Sequence, residues 1–512
     1  MIKKNILKYR HILFAMIPLF FIVVCTENPT EIEQNITCDH YTITITGFNK
    51  EAVSFSYTAI SGTRFILPFH YFDNPPMDSS QLIEGLAITD ANGLPVDTQC
   101  IRERIGPLEN MVVVLPNNVA YPVTFNYHFN PPGGEFPGKR EFVYINDSTI
   151  FLLGAYCFII PQTGITLVEL WRTVHPIRVD VNSSSNITIH GLPSSQVTCM
   201  NNYEILFLQI SAGYKQLASG RGGNTDFIIV GDENSSEFMS IYDMNTILSD
   251  FSIILGDITS LYGPIESPYT IHLLRDNDIS TAGLEGMYGY LSGTLDGWGL
   301  SAVEKFAHEV LHYYIGIRCG DYDDPWWKEA AATYLAIETL VRLCYTDQVY
   351  SLISFNNTFA YEHSASGNAK LNSGIKAESN NLSTMSHTNE DTLLERPLSD
   401  PWLRENLFYS GAEYLAYNRG YSVMAKLDLS IRTGSDNRYT LSHAMADLCK
   451  QFNGSAFSRE DILQTLEKFG ATDARDIFSV YVDTDSLIPD EQNLEIHDSI
   501  RALDSLWRIG QL

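Results

Sequence analysis

Two histidines and a glutamate have the spacing of a metal site that can activate water. His308 and His312 are four residues apart in Ala307-His308-Glu309-Val310-Leu311-His312. Because residues i and i+4 of a helix share one face, both imidazoles can bind one zinc ion. Glu309 lies about 100° around the same helix, where it can take a proton from a zinc-bound water without binding zinc itself. The alternative interpretation is a helix with two ordinary histidines and a surface glutamate.

A second helix supplies a candidate third ligand. A catalytic zinc ion takes three protein ligands and keeps its fourth position open. Glu329 lies in the opening turns of a helix for which Asp324 is the predicted N-cap and Pro325 the first residue. Alone, Glu329 would be explained as a charge that a helix N-terminus favours, but beside the two histidines we expect it to bind zinc. Thr333, one turn later, is expected to support a ligand rather than the metal.

The first of these helices has its own sequence signals. Ser301, with Glu304 three residues later, predicts an N-cap and a capping box. An apolar face for packing is supplied by Phe306, Val310, Leu311 and Tyr314.

Short strands are predicted through the first two hundred residues. Residues 36–200 alternate between apolar and polar residues and contain frequent turn signals, which predicts a β-sandwich-like domain. The strands predicted there are Tyr41–Thr46, Val53–Ile60, Arg64–Phe72, Met111–Leu115, Pro122–Phe129, Phe142–Ile145, Ile177–Val181 and Ile187–His190. After residue 200, further strands are predicted at Glu204–Ile210, Phe227–Val230 and Tyr269–Leu274. Between the last two strands, apolar residues recur at helical spacing from Ile247 to Leu261, and Gly263 is the predicted C-terminal cap.

Helices are predicted to dominate after about residue 301. Residues 361–400 are rich in Ser and Asn and lack periodicity, so we expect a long surface loop or insertion there. Further on, Ser458 to Asp461 predicts the start of a helix and Gly470 its end. The predicted segments are an export signal at 1–25, a β domain at 36–200, the segment with the candidate metal site at 201–350, a polar insertion at 351–404 and a helical domain at 405–512.

The charge balance excludes one class of partner. The 33 Lys and Arg against 61 Asp and Glu give a net charge of −28. This charge repels phosphate backbones and no local basic patch offsets it, so no nucleic acid partner is expected. With 45% hydrophobic and 18% charged residues, the chain is expected to be globular rather than disordered.

The N-terminus has the features of an export signal. Lysines and an arginine precede the uncharged apolar run Ile12–Val24, which is short for a membrane span. The run leads into Val23-Val24-Cys25, which resembles a bacterial lipobox with Cys25 as the lipid-bearing residue. We therefore expect an exported protein, in the bacterial periplasm or as an outer-membrane or cell-surface lipoprotein. A plain cleaved signal and an uncleaved membrane anchor are the alternatives.

Export also permits disulfides. Four cysteines in the N-terminal part could form two bridges, and the sequence leaves their pairing open. These are Cys38, Cys100, Cys157 and Cys199.

The two helices together resemble the gluzincin zinc metallopeptidases, which include the aminopeptidase N type and the glycyl aminopeptidase type. Two other segments extend the resemblance over most of residues 36–485, and the glycyl aminopeptidase branch fits best. Gly283, Leu284 and Glu285 resemble the family's Gly-Leu-Glu substrate-binding edge strand. Tyr417-Asn418-Arg419-Gly420 resembles its Tyr-x-Lys-Gly element.

This resemblance implies a multidomain fold with an N-terminal all-β sandwich-like domain, a thermolysin-like α+β zinc catalytic domain and a C-terminal α-helical domain. It implies a zinc-dependent peptidase, of aminopeptidase type, that acts on peptides or proteins. The implied zinc ligands are His308, His312 and Glu329. Glu309 would act as general base, Tyr417 would assist at the oxyanion, and Glu285 would meet a free N-terminal amine.

Three departures from the family pattern leave the zinc ligands intact but leave the choice of substrate open. Ala330 stands where the family usually has Gly after the ligand Glu, Gly286 follows Gly-Leu-Glu where it has His, and Arg419 replaces Lys. Two alternatives stay open. One is a zinc endopeptidase of the same fold, and the other is a catalytically silent surface lipoprotein that binds peptide or glycan.

Overall fold

Alternation of apolar and polar residues builds the N-terminal sheets, because successive side chains of a strand point to opposite faces. In β1 (Asp39–Ile45) and β2 (Val53–Ala59), every second residue is buried. The other strands are β3 (Arg64–Ile66), β4 (Ile83–Thr89), β5 (Gln99–Ile105), β6 (Leu108–Val114), β7 (Val123–Phe129), β8 (Val143–Ile145), β9 (Ile150–Leu153), β10 (Ile160–Pro161), β11 (Val174–Ser183), β12 (Ile189–His190), β13 (Gln196–Asn201), β14 (Gln209–Ala212), β15 (Lys215–Gly222), β16 (Thr225–Gly231), β17 (Tyr269–Leu274) and β18 (Leu291–Ser292).

Helices lie between some of the strands, and further helices come after β18 along the chain. They are α1 (Gly154–Cys157), α2 (Asn202–Leu206), α3 (Met244–Tyr262), α4 (Leu300–His312), α5 (Pro325–Tyr345), α6 (Pro401–Asn406), α7 (Tyr421–Gly434), α8 (Leu441–Gln451), α9 (Arg459–Lys468), α10 (Ala474–Ile477) and α11 (Asp490–Arg508). Wide helical turns lie at Tyr313–Arg318, Leu415–Gly420 and Phe478–Val482.

The computed structural model describes residues 38–68, 82–105, 108–130, 143–145, 147–165, 169–170, 173–192, 195–206, 208–231, 244–265, 269–274, 291–292, 300–318, 325–345, 396–406, 415–452 and 457–508. All of these residues belong to one compact unit, Cys38–Leu512. Within the described residues, no helix combines the length and the apolar character needed to cross a membrane.

The first hydrophobic core lies between layers of β-sheet. A six-stranded sheet has the order β13-β11-β1-β2-β7-β4, and two four-stranded sheets have the orders β10-β3-β6-β5 and β12-β14-β9-β8. Phe65 of β3 contacts Phe125 of β7 across two of these sheets, with ring centroids 4.8 Å apart. The Tyr127 hydroxyl donates to the main-chain oxygen of Cys157 at 2.8 Å, which satisfies a buried polar group.

The second core joins a fourth sheet to the helices. This sheet has the order β15-β16-β17-β18, and β16, β17 and β18 are parallel. Helix α3 forms the crossover between β16 and β17 and ends at Gly263, which has a φ of 99°. Phe251 of α3 lies 6.2 Å from Phe227 of the sheet and 4.0 Å from Phe306 of α4, centroid to centroid. Helix α3 therefore packs against both the sheet and α4. The predicted helix and its glycine cap are confirmed.

Two local predictions are wrong. The expected strand Glu204–Ile210 is instead α2 followed by β14, because the Asn201 side chain accepts a hydrogen bond from the Glu204 N–H at 2.9 Å and starts a helical turn. Ser301 is not an N-cap, since α4 already begins at Leu300 and Ser301 lies in its first turn. The predicted start lies two residues after the observed one (302 against 300), within the margin over which helix ends vary. By contrast, the capping box of Ser458 and Asp461 is confirmed.

The predicted disulfides are also absent among the described cysteines. Cys38, Cys100, Cys157 and Cys199 are all free thiols. Cys199 pairs across the ladder with Ile177, which pairs in turn with Asp39, the neighbour of Cys38. Two strand spacings of about 4.8 Å separate these positions, which is more than a disulfide spans. Cys100 lies on the edge strand β5 of another sheet, and Cys157 is buried in α1.

Candidate metal centre

Two packed helices position the metal-binding candidates. The inner face of α4 is buried and consists of Val303, Phe306, Ala307, Val310 and Leu311. The chain leaves this helix through the wide turn Tyr313–Arg318, where Gly316 has a φ of 123° that favours glycine. It then enters α5, whose first residue is the predicted Pro325, while Asp324 lies outside the described residues. The two helices fold back on one another and bring the candidates together.

The three predicted ligands form one cluster. The Nε2 atoms of His308 and His312 are 2.8 Å apart. Glu329 Oε2 lies 3.6 Å from His308 Nε2 and 3.4 Å from His312 Nε2. His312 and Glu329 are buried, with exposed fractions of 2% and 4%. Each of these three side chains offers one ligand atom, and these atoms all lie within 4.8 Å of one another, so together they could hold a metal ion.

These distances fit a zinc ion. Ligand atoms about 2.0–2.1 Å from a tetrahedral zinc ion lie roughly 3.3–3.4 Å from each other. The two distances from Glu329 agree with that value. The two imidazoles are closer, so binding zinc requires the rings to separate by about half an ångström. Two imidazole nitrogens and one carboxylate oxygen are a donor set that zinc commonly takes at catalytic sites.

Thr333 selects the nitrogen that His308 presents. Its Oγ1 donates to the main-chain oxygen of Glu329 at 2.8 Å and lies 3.4 Å from His308 Nδ1. Because its proton is already used, the hydroxyl oxygen can only accept from Nδ1–H. That tautomer leaves the lone pair of His308 on Nε2, the atom that faces His312 and Glu329. The predicted supporting contact of Thr333 is therefore present.

The electrostatics of the cluster suit a metal ion. Burial lowers the pKa of His308, and the neighbouring His312 lowers it further, which favours the neutral imidazole. Burial alone would raise the pKa of Glu329, but the adjacent His312 and His308 hold it well below its usual value. A neutral imidazole and an ionised carboxylate are the forms that bind metal.

Glu309 lies beside the cluster on α4 and is 7% exposed. Tyr269, the first residue of β17, is its neighbour from the sheet. Burial, together with the charge of Glu309, raises the pKa of Tyr269. From the sequence, Tyr269 is predicted only as the start of a strand, because a neighbour forty residues away on another element leaves no local signal.

The side chains of the other predicted site residues lie outside the described part of the structure. Tyr417 lies in the wide turn Leu415–Gly420, and its side chain is outside the described part of the structure. Gly283, Leu284 and Glu285 lie outside the described residues, between β17 and β18. Cys25 is also outside them.

Comparisons with known proteins identify the fold. No protein-family model matches the sequence, and no curated protein matches it. An aminopeptidase N family protein from Idiomarina loihiensis superposes with a TM-score of 0.60 at 14% identity, over 89% of this chain and 78% of that one. An M1 zinc metallopeptidase from Deinococcus radiodurans gives 0.52 at 15% identity, over 88% and 94%. Yeast LTA4 hydrolase gives 0.53 at 12% identity, over 91% and 71%.

At these identities the likeness is one of fold. The β-rich N-terminal part and helical C-terminal part correspond to the M1 aminopeptidase architecture. The resemblance to the aminopeptidase N type is supported at that level, while the glycyl aminopeptidase branch stays a prediction.

Proposed function

We propose that this protein is a zinc-dependent metallopeptidase, of aminopeptidase type, that hydrolyses peptides or proteins. The observation that carries the proposal is the cluster of His308, His312 and Glu329, with Glu309 buried beside it. The similarity to solved zinc metallopeptidases supports the same chemistry. These three side chains hold the zinc ion, and Thr333 orients His308.

The residues of the chain then divide the work of peptide hydrolysis. Bound zinc would supply Lewis-acid polarisation of a water molecule and of the peptide carbonyl. Glu309 accepts the proton that the attacking water loses and passes it to the leaving amine. The hydroxyl of Tyr417 donates to the oxyanion that forms on the substrate.

Substrate binding is assigned to the Gly283–Glu285 segment. Its main chain pairs with an extended peptide as an added strand. The carboxylate of Glu285 binds the free N-terminal amine, which makes the enzyme an exopeptidase. Gly286, which follows this segment, departs from the family pattern, so the preference among substrates is not carried over from the family.

Two substitutions separate zinc binding from catalysis. Glu309→Gln is expected to keep stoichiometric zinc and lose hydrolysis, because the amide cannot accept the proton. His308→Ala is expected to lose both. Zinc is measured by elemental analysis, and hydrolysis by mass spectrometry on paired peptides with free and acetylated N-termini. Cleavage of the acetylated peptide would indicate an endopeptidase. A zinc-loaded wild type that cleaves neither peptide, or full activity in Glu309→Gln, would overturn the proposal.

The protein is further proposed to be exported and held on a membrane by lipid at Cys25. Cys25→Ala is expected to shift the protein from the membrane fraction to the soluble fraction of a bacterial host, and to stop incorporation of labelled fatty acid. Cys38→Ala is a matched control that leaves the lipobox intact. Equal labelling of wild type and Cys25→Ala would rule out this anchor.

A further inference from the structure

A buried guanidinium fastens the turn that contains Tyr417. Arg419 is 3% exposed and lies two residues after Tyr417 in the turn Leu415–Gly420. Its Nη1 donates to the main-chain oxygen of Arg396 at 2.8 Å. Its Nη2 donates to the main-chain oxygens of three residues between the start of the wide turn Phe478–Val482 and α11. These are Tyr481 at 3.1 Å, Ser486 at 3.2 Å and Thr484.

The acceptors of Arg419 are all neutral. Burial lowers the pKa of Arg419 to about 10, which the nearby charge of Asp485 only partly offsets. A cation in such a place is stable only if its N–H groups are well bonded. The planar guanidinium, with five donors, can reach several carbonyls at once, whereas an ammonium offers three donors from one atom. The geometry therefore ties one turn to two separate segments, at residues 396 and 481–486.

The same turn also contacts the helix of a zinc-ligand candidate. A Cβ placed on Gly420 would lie 2.6 Å from the Cβ of Ala330 and 3.3 Å from the Trp326 ring. Ala330 directly follows Glu329 in α5. The turn thus contacts α5 through Gly420 and is tied to residues 396 and 481–486 through Arg419.

We infer that Arg419 is a positioning residue that acts through Tyr417, by fixing the main chain of this turn relative to Glu329. The inference rests on the proposed peptidase function. A misplacement of about 1 Å in a catalytic group can cost on the order of a hundredfold in rate. Loss of the guanidinium should therefore reduce turnover while leaving zinc and substrate binding in place.

A double-mutant cycle tests this role. Arg419→Met keeps the length of the side chain and removes its donors, and we expect kcat to fall about a hundredfold with KM and zinc content unchanged. Tyr417→Phe should lower kcat by about 10²–10³-fold. In the Tyr417→Phe background, Arg419→Met should change kcat by less than about twofold, because the hydroxyl that it positions is already gone. Arg419→Lys, with three donors, should restore part of the lost kcat.

Arg459 provides a matched control. Its guanidinium binds Asp483 at 2.7 and 2.6 Å, so it fastens the 481–486 segment from α9 rather than from the turn. Arg459→Met should therefore leave kcat close to that of wild type. If Arg419→Met does not fold by circular dichroism, the cycle is run with Arg419→Lys. A full effect of Arg419 substitution in the Tyr417→Phe background would overturn the inference while the peptidase function stands. An inactive zinc-loaded wild type would overturn both.

Discussion

At the scale of single residues, the hydroxyl of Thr333 favours the tautomer of His308 whose Nε2 lone pair can bind a metal ion. Thr333→Val keeps the shape of the side chain and removes the acceptor for Nδ1–H, which lies 3.4 Å away. Outer contacts of this kind typically change metal affinity by about 10–100-fold, so we expect zinc to bind more weakly by that factor. The measurement is competition with a chromophoric chelator at constant pH.

Thr333→Ser is the control, because it keeps the hydroxyl and should bind zinc nearly as tightly as wild type. If valine and serine variants bind zinc equally well, the hydroxyl does not orient the ring.

Sequence reasoning works at this scale when the signal is local. The spacing of His308 and His312 fits one face of a helix. Glu329 lies in the next helix along the chain, whose start is also marked in the sequence. The contacts of Arg419 could not be predicted, because its acceptors are main-chain oxygens up to 67 residues away. Any residue has such an oxygen, so no side-chain type marks the partner.

At the scale of elements, the approach of the turn Leu415–Gly420 to α5 depends on a matched pair of small residues. Gly420 has φ −59° and ψ −41°, which any residue can adopt. Gly420→Ala would thus normally stabilise a helix by about 1 kcal/mol. Here the new methyl group would meet Ala330 at 2.6 Å, so we expect a net loss of about 1–3 kcal/mol instead. Urea unfolding measures this change.

The compensating substitution distinguishes contact from backbone preference. Ala330→Gly alone should cost about 1 kcal/mol through helix propensity. Combined with Gly420→Ala it should recover stability, with a favourable coupling of about 1–2 kcal/mol. Purely additive effects would show that the two residues do not compete for the same space. Ala330 fits against this turn because Gly420 has no side chain.

The sequence predicts a strand or helix well where one face of that element is buried and the other is exposed. The alternating pattern located β1 and β2, and apolar spacing located α3. Strand β15 (Lys215–Gly222) was missed because its sequence is polar and glycine-rich and gains its pairing from β16. Tertiary contacts determine such strands more than local preference does.

At the scale of the whole molecule, a buried ion network connects α11 to the helices around the metal centre. Arg432 of α7 lies 2.7 Å from Asp428 and 2.9 Å from Asp504 of α11, with Glu338 of α5 at 3.9 Å. Three carboxyl groups thus face one guanidinium. Burial raises the pKa of Asp504 to about 7. The positive charge of Arg432 lowers this pKa, whereas the negative charges of Asp428 and Glu338 raise it further.

This raised pKa predicts how stability depends on pH. The folded chain holds the Asp504 proton up to about pH 7, whereas the unfolded chain releases it near 3.8. The unfolded state therefore binds fewer protons between these values, and the free energy of unfolding falls as pH rises. At about 1.4 kcal/mol per pKa unit, the contribution lost is at most about 4 kcal/mol. Asp504→Asn cannot ionise, so it should match wild type near pH 4 and become more stable than wild type by pH 8.

Urea unfolding of both proteins from pH 4 to 8 gives the difference between the two curves, which separates the effect of Asp504 from that of titrating groups outside the Arg432 network. Glu495→Gln, on the exposed side of the same helix, is the control and should run parallel to wild type. A difference between Asp504→Asn and wild type that stays constant with pH would mean that Asp504 is ionised throughout. In that case Arg432 would hold Asp504 charged, and Asp504 would not make the docking of α11 respond to pH.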